Sequence, residues 1–425
     1  MNLDTLARLH AEQARNTVTD AQLPPIERIV KGRGSGKLVA SLAWTAVAAA
    51  VIVGTVLLVG PASELTSTTL TPAATTTIAT DAPVRVSDIE LIASQWTSQE
   101  ILRDVPYSEA GALSIDHVGP EGFVITGTIW TPEDPTHRPR MWVSADGDTW
   151  SVVPGSETMF PDTFPDLTGP AGIVANERGM VAFGTSIWFS PNGTDWTAGT
   201  IESDGSRPTS GIVLESGDYV LYGNFWFAEG AERVLFSEDG TTWDIIPTPV
   251  GFSAMVQLDS GRLVATGGRA SEPMTWTSTD GTAWTPLSDD HSISQGRGVL
   301  VTTMVANGPG LVAAGMNTDG EPTFWTSVDG RTFQETASFP LAFETPEDAS
   351  REAPAVAAIA VGQEWMVAVG NYGYKGYMSV PAIWVSRDGV VWEAVPVDLI
   401  DRIAGLNDVT YDGAAFIAIG HRNAF

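Results

Sequence analysis

Apolar and polar positions along this chain of 425 residues change over in short runs, and beyond residue 90 no helical period is sustained. Seven apolar runs close on glycine: GFVITG (122–127), GMVAFG (179–184), DYVLYG (218–223), RLVATG (262–267), GLVAAG (310–315), WMVAVG (365–370) and AFIAIG (415–420). Each follows another apolar segment, such as Ile212-Val213-Leu214 or Val356-Ala357-Ala358-Ile359. After each of the first six comes Ser-x-Asp/Asn-Gly-x-x-Trp/Phe, at 144–150, 190–196, 237–243, 278–284, 327–333 and 386–392. The pattern predicts one repeating unit: strand A, a short turn, strand B ending in Gly, a variable loop, strand C, the Ser-x-Asp-Gly turn, and strand D.

The acidic or amide position of that turn falls at Asp146, Asn192, Asp239, Asp280, Asp329 and Asp388, giving gaps of 46, 47, 41, 49 and 59 residues. Self-similarity at this period predicts a β-propeller, one four-stranded blade per repeat. Asp accepts backbone hydrogen bonds in the turn, Gly reaches positive φ without a Cβ clash, and Ser adds a local backbone bond. The closing Trp, present in five of the six copies, is large enough to fill the wedge between neighbouring blades. Seven apolar-Gly runs stand against six turns, and residues 95–106 read as a copy that has lost its Asp-Gly. The expectation is therefore an all-β, seven-bladed propeller over 88–425, about 48 residues per blade, with six blades as the alternative. Residues near 89–106 would complete the blade begun near 405–425, so that both chain ends close the ring.

These turns resemble the Asp-box, or BNR, repeats of sialidases, sortilin-type receptors and photosystem-assembly propellers. The resemblance covers the blades and implies a propeller fold; it does not bring an active site with it. Sialidases are recognised by an early Arg-Ile-Pro motif, three arginines that grip a carboxylate, and a Tyr–Glu nucleophile pair. The nearest segment here, Arg138-Pro139-Arg140, lacks the apolar-then-Pro order, and no spacing marks three arginines as a cluster. The six turn residues from Asp146 to Asp388 are expected to staple their own hairpins rather than form a catalytic or calcium array.

The first 60 residues are a different object. No charge falls between Lys37 and Glu64, and Leu38 to Gly60 supplies 23 predominantly apolar residues, the length of a single transmembrane helix. Arg28, Lys31, Arg33 and Lys37 crowd its amino-terminal side, which predicts a cytoplasmic tail (1–37), a span (38–60) and an extracytoplasmic propeller at the cell membrane. The stretch and its lead-in are too long for a cleaved signal peptide. GRGSGK (32–37) has Lys and Leu where a phosphate loop needs Gly and Ser or Thr, and reads as a basic membrane flank. Residues 61–87, rich in Thr, Ser, Ala and Pro, read as an extended spacer.

Charge narrows the partners. The chain carries −29 overall, yet residues 1–60 hold six basic and four acidic side chains. The rest holds 16 basic against 47 acidic, with Lys375 its only lysine. A surface this acidic opposes nucleic acid and anionic lipid. Without cysteine there is neither disulfide nor thiolate chemistry, and no calcium-loop, G-x-S-x-G or H-E-x-x-H motif is present, so no metal, cofactor or catalytic residue is assigned.

Strand alternation puts the A–B and C–D turns on one face and the B–C loops and D-to-A crossings on the other. The long insertions sit on the second face, where a rigid scaffold usually carries binding residues. Trp130, Arg138, Arg140, Trp226, Phe227, Arg351, Tyr372, Tyr374, Lys375 and Tyr377 are the candidates there, a set suited to a glycan or peptide. Three functional readings follow. One is a membrane-anchored binding or scaffold module for a protein or glycan. Another is a sialidase-like exo-glycoside hydrolase with a diverged site. The third is a sensor coupling the outer domain to a cytoplasmic partner through residues 1–37.

Overall fold

The computed structural model describes residues 56–61, 97–100, 109–117, 122–131, 134–160, 170–200, 208–223, 232–269, 272–288, 293, 299–307, 310–317, 322–336, 352–374, 378–395 and 405–421. Of two compact units, Met1–Ala48 and Ala49–Phe425, all of these lie in the second. Val56–Pro61 (β1) and Thr97–Glu100 (β2) come first, followed by Glu109–His117 (β3), Phe123–Thr131 (β4), Asp134–Ser144 (β5) and Ser151–Val152 (β6). The next unit is Pro170–Asn176 (β7), Gly179–Gly184 (β8), Ile187–Ser190 (β9) and Thr197–Ala198 (β10). It precedes Ser210–Val213 (β11), Tyr219–Tyr222 (β12), Arg233–Ser237 (β13) and Asp244–Pro247 (β14). Phe252–Gln257 (β15), Leu263–Arg269 (β16), Glu272–Ser278 (β17) and Thr285–Pro286 (β18) make the fourth unit. Leu300–Asn307 (β19), Gly310–Met316 (β20), Pro322–Ser327 (β21) and Gln334–Glu335 (β22) make the fifth. Glu352–Val361 (β23), Met366–Tyr374 (β24), Met378–Ser386 (β25) and Glu393–Ala394 (β26) precede the last pair, Gly405–Tyr411 (β27) and Ala415–His421 (β28).

The fold is an all-β propeller. Among the described residues the strands form six sheets, the number of the six-bladed alternative rather than seven: five antiparallel sheets of four and one of eight. The eight-stranded sheet consists of two meanders, β3 to β6 and β27-β28-β1-β2, joined by the single pairing of His421 with Gly111. The innermost strands β3, β7, β11, β15, β19, β23 and β27 each contact the next, and β27 contacts β3. Apolar side chains are buried between successive units. Tyr219, Leu221 and Trp243 pack on Val181, Phe183 and Ile187, and Trp392 stacks on Phe324 of the preceding unit at 4.0 Å between ring centres. Leu406, Val409, Phe416 and Ala418 pack on β23 to β25, whereas Ile417 and Ile419 pack on Ile115 and Trp142.

The amino-terminal segment differs from expectation. Val56–Pro61, the end of the expected span 38–60, are extended and pair with β28 on one side and β2 on the other. The uncharged, apolar run Val56-Leu57-Leu58-Val59, with a β-branched Val at each end, suits a third strand, and the otherwise open edge of β28 supplies its backbone partners. Of the expected closing segment 89–106, Thr97–Glu100 are described, and they join the sheet in outermost position. Residues 1–55 and 62–96 lie outside the described residues, and with them the cytoplasmic tail, the rest of the span and most of the spacer. No helix among the described residues is long and apolar enough to cross a membrane.

A second feature organises the axis. Six innermost strands carry a register shift at the same level, between Ala112/Ser114, Pro170/Gly172, Phe252/Ala254, Val301/Thr303, Val356/Ala358 and Leu406/Asp408. Opposite each shift stands the closing glycine of strand B. A Cβ on Gly267, Gly315, Gly370 or Gly420 would lie 2.2, 1.8, 1.9 or 2.0 Å from a backbone oxygen of the bulged strand. The repeated Gly is therefore the room that the bulge needs.

Candidate functional site

The six Ser-x-Asp/Asn-Gly turns share one hydrogen-bond scheme. The buried Ser hydroxyl accepts from the Gly N–H at 2.8–2.9 Å, as at Ser144, Ser237 and Ser386. The side-chain oxygen of Asp146, Asn192, Asp239, Asp280, Asp329 or Asp388 accepts from two backbone N–H groups that follow it. Each turn glycine has φ between 66° and 77°, and each closing Trp donates its indole N–H to that glycine's carbonyl at 2.9–3.2 Å. Backbone N–H donation from Thr242 and Ala283 holds the carboxyls of Asp239 and Asp280 down at about 2. These acids are consumed locally.

The A–B turns share this face. Arg178, between β7 and β8, donates to Glu238 O of the next unit's turn at 2.7 Å, and Arg262 donates to Asp329 O at 2.8 Å. The opposite face is where the chain enters strand A, and there the candidate residues divide. Trp226, Phe227, Arg351, Lys375 and Tyr377 lie outside the described residues. Trp130 is placed by its backbone near the end of β4, and Tyr372 and Tyr374 are placed near the end of β24, opposite Val380 and Met378. Arg138 is exposed and Arg140 half-buried, two apart on β5 and opposite Ile129 and Gly127. The β4–β5 and β24–β25 hairpins belong to units separated by β27 and β28, so Arg138 and Arg140 do not share a hairpin with the tyrosines.

Between the inner strands the axis opens into two cavities. One, about 470 Å³, lies at the turn-bearing end, lined by Asp116, Ala175, Glu215, Gln257 and apolar residues of β7, β11, β15 and β19. The other, about 490 Å³, lies at the opposite end, and all seven inner strands line it. The residue skipped at each of these six shifts is among its walls: Leu113, Ala171, Ser253, Thr302, Ala357 and Asn407. A bulge presents consecutive residues to one side, so six of them at one level widen the lumen there. Leu113 and Leu300 on this wall are exposed, at 38% and 48%.

Two carboxylates that the sequence reading did not single out sit on this axis. Asp408 on β27 accepts from the Ser114 hydroxyl at 2.9 Å and the Ile115 N–H at 3.0 Å, both on β3, and from Val409 N–H at 2.8 Å. Burial pushes its carboxyl up to about 6 despite these bonds. Asp116 on β3 accepts from His117 N–H at 2.8 Å and is pushed up to about 7, by burial first and by the Asp408 charge as well. Both side chains are half-buried, Asp116 on the wall of the turn-end cavity and Asp408 on the wall of the opposite one. The signal for them was present: Asp116 and Asp408 interrupt apolar strand-A segments, where a charge needs a reason.

No family model and no curated protein matches this chain. Solved structures similar to it include "YCF48 bound to D1 peptide", at 14% identity and TM-score 0.46, covering 76% of this chain and 98% of that one. A streptogramin B lyase shows 11% identity and TM-score 0.47, with coverages of 76% and 97%. An Aleuria aurantia lectin mutant in complex with alpha-methyl-L-fucoside shows 13% identity and TM-score 0.40, with coverages of 68% and 97%. Likenesses at these scores carry nothing about function.

Proposed function

We propose that this chain is a binding or scaffold module: a propeller of the Asp-box type that holds a protein or glycan ligand at the strand-A entrance of its axial channel. The observation that carries the reading is the cavity of about 490 Å³ lined by all seven inner strands, a volume in the range of ligand pockets. Its described walls are hydroxyl, amide, apolar and acidic, with no arginine or lysine. A sialidase-like site needs paired guanidinium groups to hold a sugar carboxylate, and an acidic channel repels that anion instead. Seven blades are the better count, with the eight-stranded sheet taken as two; the ring of seven inner strands and the single His421–Gly111 link support it. The apolar stretch from Leu38 and its basic flank support a membrane anchor with the propeller outside, leaving 18 residues, 38–55, ahead of β1, still enough to span.

The test is a peptide and glycan binding screen on the purified full chain, run beside a fluorogenic sialoside assay. A retained ligand with no sialoside cleavage is expected. Sialoside turnover abolished by one arginine substitution would replace this reading with the hydrolase.

A further inference from the structure

Taking the binding reading as its basis, we propose that the channel entrance receives an arginine side chain of an extended peptide, with Asp408 as its counter-charge and Leu113 and Leu300 seating the apolar neighbours. The wall is rich in acceptors. Ser253 donates its hydroxyl proton to Thr266 O at 3.2 Å, and Thr302 donates to Val356 O at 2.7 Å, which leaves both oxygens as acceptors. Asp408 is an acceptor with its N–H and O–H partners already in place, and a weakly hydrated cation with further donors is the kind of partner whose attraction can offset the desolvation of the pair. The complementary group is donor-rich and cationic. A guanidinium offers five N–H donors and no acceptor, and its weak hydration makes it easier to bury than an ammonium. Coulomb forces favour the same ligand, because the 365 residues beyond Gly60 carry 47 acidic against 16 basic side chains.

The rim adds the second half of the recognition. Exposed large apolar side chains are few among the described residues, and two of them, Leu113 on β3 and Leu300 on β19, stand on the wall of this one cavity. An arginine flanked by leucines would cover them while the guanidinium reaches Asp408 and Asn407. A free amine lacks the apolar flanks, and a neutral glycan lacks the charge.

The probe is a capped pentapeptide, Ala-Leu-Arg-Leu-Ala, titrated into the full chain beside its citrulline counterpart, which keeps the shape and removes the charge. Calorimetric binding of the arginine peptide, weakened about tenfold or more by citrulline, is expected from the loss of a charge-assisted contact. Asp408→Asn, which keeps an acceptor for Ser114 and Ile115, should bring both peptides to the same weak affinity. Leu300→Ser, an exposed change, should weaken both peptides by several-fold. Equal binding of the two peptides to the parent protein overturns the proposal even if Asp408→Asn fails to fold. A ligand from the wider screen that ignores Asp408→Asn and Leu300→Ser would overturn it too, while leaving the binding reading intact.

Discussion

Gly315→Ala is the sharpest test of the bulged inner ring. Gly315 on β20 pairs with Val301, where the register of β19 shifts. A Cβ at Gly315 would stand 1.8 Å from Leu300 O and 2.8 Å from both Leu300 C and Val301 Cα. A tolerable carbon–oxygen contact is roughly 3.4 Å, so β19 must retreat by roughly 1.5 Å. That movement loosens two ladder hydrogen bonds at about 1 kcal/mol each and adds overpacking strain of about 1–2 kcal/mol, for a loss of about 3–4 kcal/mol. Gly261→Ala is the control. Gly261 has φ of 76° with nothing within 4 Å of a new Cβ. Only the left-handed backbone penalty of about 1 kcal/mol applies there, offset in part by the unfolded-state entropy that alanine removes. Guanidinium unfolding of the full chain, followed by fluorescence of its 15 tryptophans, reads both variants. If Gly315→Ala costs no more than Gly261→Ala, the glycine is not making room for the bulge and the argument fails.

Three further outcomes are expected. The chain has no cysteine, so the pair Leu58→Cys and Ala418→Cys, partners across β1 and β28, should crosslink on oxidation within one chain; absence of that crosslink removes β1 from the closing unit. Asp239→Ala or Asp280→Ala should each lower stability by about 1 kcal/mol through two lost backbone partners, as a helix cap does. Because both carboxyls are held down at about 2, that contribution is present above pH ~4 and lost as pH falls towards 2, and melting midpoints that do not move over this range would contradict it. Asp116 and Asp408, raised to about 7 and about 6, act with the opposite sign: their contribution is full below the ordinary value of 3.8 and lost as pH rises through 6 to 7. The Asp116→Asn, Asp408→Asn double variant should therefore flatten the pH dependence of melting between about 4 and 7, and an unchanged slope would sink the assignment.

The repeat grammar of the chain was legible because its period is local. Ser-x-Asp-Gly-x-x-Trp specifies its own hairpin through bonds within seven residues, and the apolar-Gly runs alternate as strands must. What closes the ring was not legible in the same way. Neither segment carries an intact turn signature: apolar length and flanking charge mark 38–60 as a membrane span, and likeness to a degenerate repeat marks 95–106 as outer strands, whereas the backbone edge of β28 takes Val56–Pro61 first. The channel was hidden for a different reason. Long loops point towards Trp130, Arg138 and the tyrosines of β24, but the described cavity is walled by strand-A residues made lumenal by bulges. The closing glycines were the available clue, since a Gly inside a strand often marks a bulge or a close backbone approach. Asp116 and Asp408 were the second clue, as charges inside apolar runs.

Site-directed labelling measures the central claim most directly. Leu300→Cys places the only thiol at the channel entrance, and Val328→Cys places it on the opposite, turn-bearing face at a side chain 65% exposed. With the ligand recovered in the screen present at saturation, maleimide labelling of Leu300→Cys should slow by at least about tenfold, while Val328→Cys should label at its ligand-free rate. Protection of Val328→Cys with Leu300→Cys unaffected would place the ligand on the turn face and contradict the channel as the binding site.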